Sequence, residues 1–209
     1  MNNQYINQVN ATVNKQYSYK ITGEPKTFQL DVMFYKRAST LTPILLFVDI
    51  LSRKLWTFVL SKNTANEILE CIQQLNKEVG NIHGLTGDNQ FSTKLINEYC
   101  EKHNIRLDTS VAKREHISGG DKLGIVDRIC RTLRELINRY YEITGHKTDN
   151  FKNVIKAVVE MYNENEHSSI KTTPNKAWND NNIQVAKHLS DSIHNQQVYK
   201  QYLLRKVNK

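Results

Sequence analysis

The sequence predicts an α/β fold, a five-stranded mixed sheet flanked by helices, and three observations lead there. Three apolar, β-prone segments follow one another with short gaps, at residues 27–35, 44–50 and 54–60, as strands joined antiparallel do. Two more short apolar segments, 82–86 and 105–109, alternate with stretches of helical periodicity, which gives the sheet a mixed remainder. Finally, Asp31, Asp88 and Asp127 fall in a strand, at a strand end and on a helix, so they could converge only where a sheet meets a helix.

Each element has its own signal. Residues 1–23 are polar and rich in Asn and Gln, and they read as a flexible arm or a fragment of helix. In the first strand Phe28, Leu30, Val32 and Phe34 share one face, which leaves Asp31 and Met33 on the other. Leu51-Ser52-Arg53 makes the hairpin between the second and third strands. A helix over 64–79 is stopped by Gly80 and Asn81, and after the fourth strand a helix over 92–103 takes Ser92 as its N-cap. Residues 111–120 are loop-like, and Ser118-Gly119-Gly120 offers a hinge before the next helix.

That helix runs to Ile143, with Val126, Ile129, Leu133, Leu136 and Tyr140 on its apolar stripe. Another spans 150–163, with Phe151, Val154, Ile155, Val158 and Met161 apolar. Beyond Trp178 the chain turns polar, then amphipathic and basic. The organisation is an arm (1–23), a core (24–178) and a basic helical tail (179–209). Three strands, then helix, strand, helix, strand and further helices, is the ribonuclease H-like plan. Its carboxylates come from the middle of the first strand, the end of the fourth and a later helix.

Composition narrows the class. The chain has 209 residues, 39% of them apolar and 24% charged, enough for one ordinary core. A net charge of +8 and a pI of about 9.3 favour an anionic partner, nucleic acid first. Cys71, Cys100 and Cys130 stand far apart in helical patterns and read as buried free thiols in a reducing compartment, not as a zinc site. With no long apolar run and no signal-peptide core at the start, the expectation is a soluble, intracellular protein that is not secreted.

The three aspartates carry the chemistry. Asp31 is a carboxylate in mid-strand, where aspartate is depleted and a half-buried charge needs a partner. Asp88, in Gly87-Asp88-Asn89, stands at the C-terminal end of a strand, where open α/β sheets place their sites, although such a tripeptide also makes plain turns. Asp127 shares a helix face with Arg131, Arg134 and Asn138. That face suits a metal ligand followed by a grip on a phosphate backbone, and equally a solvated face with an i,i+4 ion pair. Hard carboxylate oxygens suit Mg²⁺, and two such ions can stabilise both the entering and leaving oxygens at phosphorus. Asp121 and Glu115 are alternatives for the third ligand. Lys113, Arg114, Lys122, Arg128, Arg131 and Arg134 flank this region and are the candidates for DNA phosphate contacts. Asp49 reads as a structural acid at a hairpin end, Trp56 and Tyr162 as core residues, and His167 as a packing histidine.

Residues 27–178 resemble the retrovirus-type integrase catalytic core, as found in retroviruses, long-terminal-repeat retrotransposons, and Maverick/Polinton elements with their viral relatives, the last being nearest in flavour. Leu30-Asp31-Val32-Met33 is similar to the family's first-strand aspartate, and the stretch from Phe47 to Trp56 is similar to its hairpin. Gly87-Asp88-Asn89-Gln90-Phe91 resembles the second aspartate, and Gly124-Ile125-Val126-Asp127-Arg128 followed by Arg131-Thr132-Leu133-Arg134 resembles the helix of the third acid. Tyr162-Asn163, His167-Ser168-Ser169 and Thr173-Pro174 are similar to the segment after the core.

The resemblance implies a DNA integrase that processes element ends and joins them to double-stranded DNA. It further implies Asp31, Asp88 and Asp127 as catalytic ligands of two Mg²⁺ or Mn²⁺ ions, a homo-oligomer, and work in the nucleus or at a viral replication site. Three departures stand out. Aspartate replaces the family's glutamate at 127, the stretch after Asp88 is abbreviated, and the interval from Asp88 to Asp127 is slightly long. A weakly active or inactive core repurposed for binding DNA or protein, or a nuclease of the wider ribonuclease H-like group, are the alternatives.

Overall fold

The computed structural model describes residues 25–37, 39–109, 123–145, 150–179 and Val185. The predicted arm, the 111–120 loop and, apart from Val185, the tail past residue 179 lie outside these residues, as do Lys113, Arg114, Glu115, Asp121 and Lys122. The elements in chain order are β1 (Thr27–Arg37), β2 (Thr40–Asp49), β3 (Leu55–Val59), α1 (Ala65–Val79), β4 (Gly84–Thr86), α2 (Lys94–Lys102), β5 (Arg106–Asp108), α3 (Gly124–Thr144), α4 (Phe151–Glu164) and α5 (Pro174–Asn179). A single 3-10 turn, Asn89–Phe91, lies between β4 and α2.

The sheet runs β3-β2-β1-β4-β5. β1, β2 and β3 pair antiparallel, while β4 pairs parallel with both β1 and β5. This is the expected ribonuclease H-like plan. Both faces of the sheet are covered, and strict alternation sends each strand residue to one of two cores. Phe28, Leu30 and Val32 with Leu45 and Phe47 meet Ile68, Ile72 and Leu75 of α1 and Ile96 of α2. Met33 and Tyr35 with Ile44, Leu46 and Val48 meet Val126, Ile129, Leu133 and Ile137 of α3 and Val154, Ile155 and Val158 of α4. Burial on both faces is why 44–48 is apolar throughout and does not alternate.

Several local expectations shift. The β1–β2 hairpin extends to Arg37 and Thr40; on one face Tyr35 still stacks on Phe151 of α4, but on the other Phe34 is 43% exposed although it continues the Phe28/Leu30/Val32 stripe. The N-cap of α2 is Thr93, whose hydroxyl accepts from Ile96 N, and not Ser92. Met161 lies on the solvent side of α4, 52% exposed, while Val159 joins the buried set.

The β2–β3 turn and the start of β3 are held by buried polar pairs. Asp49 is fully buried and accepts from Ser52 N and Oγ, both at 2.7 Å, and from Lys26 N at 3.0 Å, closing the β2–β3 turn as a structural acid. Asn163 of α4 acts like a strand partner for β3. Its Oδ1 accepts from Leu55 N and its Nδ2 donates to Leu55 O, each at 2.9 Å. Trp56 packs edge-on against Phe28 and Trp178, and the Tyr162 hydroxyl donates to Arg53 O. His167 bridges to Thr172 and sets its ring edge-on to Tyr162.

Candidate active site

The site is built from the C-terminal end of β4, the middle of β1 and the first turn of α3. Thr27, Phe28 and Gln29 of β1 pair with Gly84, Leu85 and Thr86 of β4, and Asp31 lies two residues past the last paired position of β1 as Asp88 does past that of β4. Asp88 stands just past the end of β4, close enough to Asp31 for its charge to register there. Gly87 makes this exit possible, because a Cβ there would lie 2.5 Å from the Phe91 ring and close to Leu30. Asp88 then caps the 3-10 turn, its Oδ1 accepting from Gln90 N at 3.0 Å and its Oδ2 from Gln90 Nε2 at 3.3 Å.

Asp31 is half-buried on the face that meets α3. One of its oxygens accepts from Val32 N at 2.8 Å, and the other lies 3.7 Å from the Cys130 thiol, which donates to it. Burial raises its pKa above the ordinary carboxylate value, and the charge of Asp88 raises it further; the hydrogen bonds from Val32 and Cys130 oppose the rise. The charge of Asp88 thus registers at Asp31.

The start of α3 is fixed from the sheet. Leu123 stands at the N-cap and offers no side-chain hydrogen bond. In its place Gln29, buried on β1, accepts from Ile125 N at 3.2 Å and Val126 N at 3.0 Å through Oε1. Asp127 comes next, half-buried in the first turn, where the helix dipole favours a negative charge. The Cys130 thiol is pushed up to about 12, chiefly by burial, with Asp31 and then Asp127 adding to the rise. Both aspartates are therefore close enough to Cys130 for their charges to register on one sulfur.

Of the candidate phosphate contacts, Arg128, Arg131 and Arg134 are exposed on α3. They do not form one row. Arg131 and Arg134 follow Asp127 at i+4 and i+7, and Arg134 lies near enough to Cys130 and Tyr35 to favour their charged forms. Arg128 is rotated away toward His167, whose pKa is held below its ordinary value by burial, by Arg53 and by Arg128. Two site residues escaped the sequence reading, Gln29 and Cys130. The available signal was spacing: Gln29 lies two residues before Asp31 on the same strand face, and Cys130 lies three after Asp127 on the same helix.

A hard divalent cation suits this donor set. Two neighbouring carboxylates, one already disfavoured as an anion, would be relieved by Mg²⁺ or Mn²⁺, which typically uses one or two carboxylates and completes its shell with water and phosphate oxygens. Among the described residues no three His, Cys, Asp or Glu side chains stand where they would hold a metal ion together. Asp31 and Asp88 are the pair that fits.

Solved structures that superimpose on this chain include integrases. A chain of the simian T-cell lymphotropic virus intasome superimposes with a TM-score of 0.67 at 17% identity, over 76% of this chain and 56% of that one. The HTLV-2 integrase catalytic core domain in complex with magnesium gives 0.61 at 20% identity, over 73% of this chain and 95% of that one. The BIV integrase catalytic core gives 0.59 at 19% identity, over 74% and 94%. The fold is that of an integrase catalytic core. This chain spans little more than half the intasome chain, and its match to the isolated cores is nearly complete on their side. No protein-family model and no curated protein sequence matches it. Among the described residues no helix is long and apolar enough to cross a membrane.

Proposed function

We propose that this chain is the catalytic core of a metal-dependent DNA integrase that trims the ends of a mobile or viral element and joins them to double-stranded DNA. The observation that carries this reading is the proximity of Asp88, just past the end of β4, to Asp31 on the adjacent strand β1, with the first turn of α3 docked on β1 through Gln29. The fold of integrase cores and a +8 net charge support it. In this proposal Asp31, Asp88 and Asp127 hold two Mg²⁺ or Mn²⁺ ions. When bound, these ions supply charge stabilisation for the oxygens that enter and leave phosphorus.

The other residues bind and orient. Val32 N and Cys130 fix the carboxylate of Asp31 from two sides. Arg131 and Arg134 grip DNA phosphates beside the reacting one, and Arg128, Lys113, Arg114 and Lys122 extend the anionic footprint. The dimeric and trimeric forms of the HTLV-2 core support assembly of this chain as a homo-oligomer. The element is of Maverick/Polinton or related viral type, and the work is done in the nucleus or at a viral replication site.

A second reading rests on Asp127. Aspartate is one methylene shorter than glutamate, and the described residues gather no three-ligand cluster. A core repurposed to bind DNA or a protein partner fits that observation. Incubating the purified chain with Mg²⁺ or Mn²⁺ and labelled DNA ends separates the readings. Joined products support the integrase, hydrolysis without joining replaces it with a nuclease, and DNA binding without turnover replaces it with the repurposed core.

A further inference from the structure

We infer that Gln29 is a positioning residue: its side chain pins the first turn of α3 to β1 and so sets where Asp127 stands relative to Asp31. The inference rests on the proposed metal-dependent function and deepens it.

A helix start leaves up to four N–H groups without intrahelical acceptors, and a Ser, Thr, Asp or Asn at the N-cap normally serves one of them. Thr64, Thr93 and Asn150 do so for α1, α2 and α4. α3 begins at Leu123, which cannot, and two of its first amides are served instead from 96 and 97 residues away by one oxygen of Gln29. A local cap fixes where a helix begins along its own chain. A cap supplied by the sheet also fixes where the helix lies on that sheet.

The location gives this its consequence. Residues two apart on a strand face the same way, so Gln29 and Asp31 address α3 together. Asp127 directly follows Val126, one of the two amides held. Leu123, Ile125 and Val126 pack apolar surface against the sheet, but such contact is non-directional and by itself tolerates sliding. Metal coordination tolerates only about 0.2 Å of error in a ligand distance. A buried, directional pair of hydrogen bonds beside the ligands supplies the registration that apolar packing lacks. Gln29 is 1% exposed, so in the folded chain these amides are served by a buried side chain and not by bulk solvent.

The test uses the full chain with two readouts. Amide hydrogen exchange follows Ile125 and Val126, and a Mn²⁺ titration read by electron paramagnetic resonance follows metal binding. Gln29→Met keeps length and apolar bulk but removes the acceptor. It should speed exchange at the two amides by at least about tenfold and weaken Mn²⁺ binding by about tenfold or more. Gln29→Glu restores an acceptor of the same reach and should keep the amides protected and bind Mn²⁺ at least as tightly as the parent. If Gln29→Met does not fold, Gln29→Asn, whose amide falls one methylene short, should give the same losses.

Unchanged protection in the acceptor-deficient variant would overturn the anchor. Faster exchange with unchanged Mn²⁺ binding would overturn the positioning role while leaving the functional reading intact. A parent chain that binds no Mn²⁺ would overturn the functional reading, and with it the role of Gln29 toward the metal, while the exchange data still decide the anchor.

Discussion

The thiol of Cys130, on α3, donates to a carboxylate oxygen of Asp31, on β1, at 3.7 Å, joining residues 99 apart in the chain. Sulfur is a weak donor, so this contact orients the carboxylate more than it stabilises the anion. The stronger hydrogen bond to Asp31 comes from Val32 N, and burial still dominates, leaving its pKa raised. A carboxylate held in place but disfavoured as an anion is suited to accept a cation.

That balance makes Asp31 a liability to the metal-free fold. The folded chain holds a proton on Asp31 more tightly than the unfolded chain. Its contribution to stability is thus present below the ordinary value of 3.8 and is lost as pH rises through the raised folded value. Asp31→Asn should therefore be more stable than the parent at pH 7 in chelator, by roughly 2 °C or more in Tm. The gain should vanish near pH 3, where the parent is protonated. Thermal unfolding at the two pH values checks this, and a parent as stable as the variant at pH 7 would contradict it.

Asp127 separates a working site from a repurposed one. Asp127→Asn keeps the shape and loses the charge, so metal-dependent DNA cleavage and joining should fall at least about a hundredfold. Asp127→Glu should retain activity or raise it, because the longer arm reaches further toward Asp31 and Asp88. An active parent whose turnover is unchanged in Asp127→Asn would remove this residue from the site. Asp121 would be next to test.

Arg131 and Arg134 should act on DNA through phosphates and not through bases. Replacing both with Ala should weaken binding about equally across sequences and reduce the slope of log affinity against log salt by about 1.8. Fluorescence anisotropy between 50 and 200 mM salt measures it. A slope unchanged from the parent would place the DNA elsewhere.

Asn163 is the test of the architecture away from the site. Asn163→Ala removes the side-chain partners of Leu55 N and O in a buried setting, which should cost about 1–3 kcal/mol in urea unfolding. The exposed Asn153, on the same helix, should tolerate Ala with little change.

Much of this was legible in the chain. Alternation in 28–34 put Asp31 opposite the Phe28/Leu30/Val32 stripe, and the structure has it on the α3 side. Helical periodicity put Val126, Ile129 and Leu133 on the buried stripe of α3. Where the reading slipped, the cause differed: Ser92 for Thr93 turned on local geometry, since the hydroxyl that meets Ile96 N lies only three residues before it, whereas the exposure of Phe34 depends on which distant elements cover its face of the sheet.

The sequence by itself determined the order of strands and helices, the two faces of β1 and the three acids that mark the region of interest, because periodicity and residue type act over a few neighbours. Tertiary structure alone decided the strand order that brings Asp88 near Asp31, the capping of α3 by Gln29, the thiol contact of Cys130 and the divergence of Arg128 from Arg131 and Arg134. Each of these depends on contacts between residues far apart in the chain, and no local pattern encodes which distant side chain will fill an unserved hydrogen bond once the helix has docked.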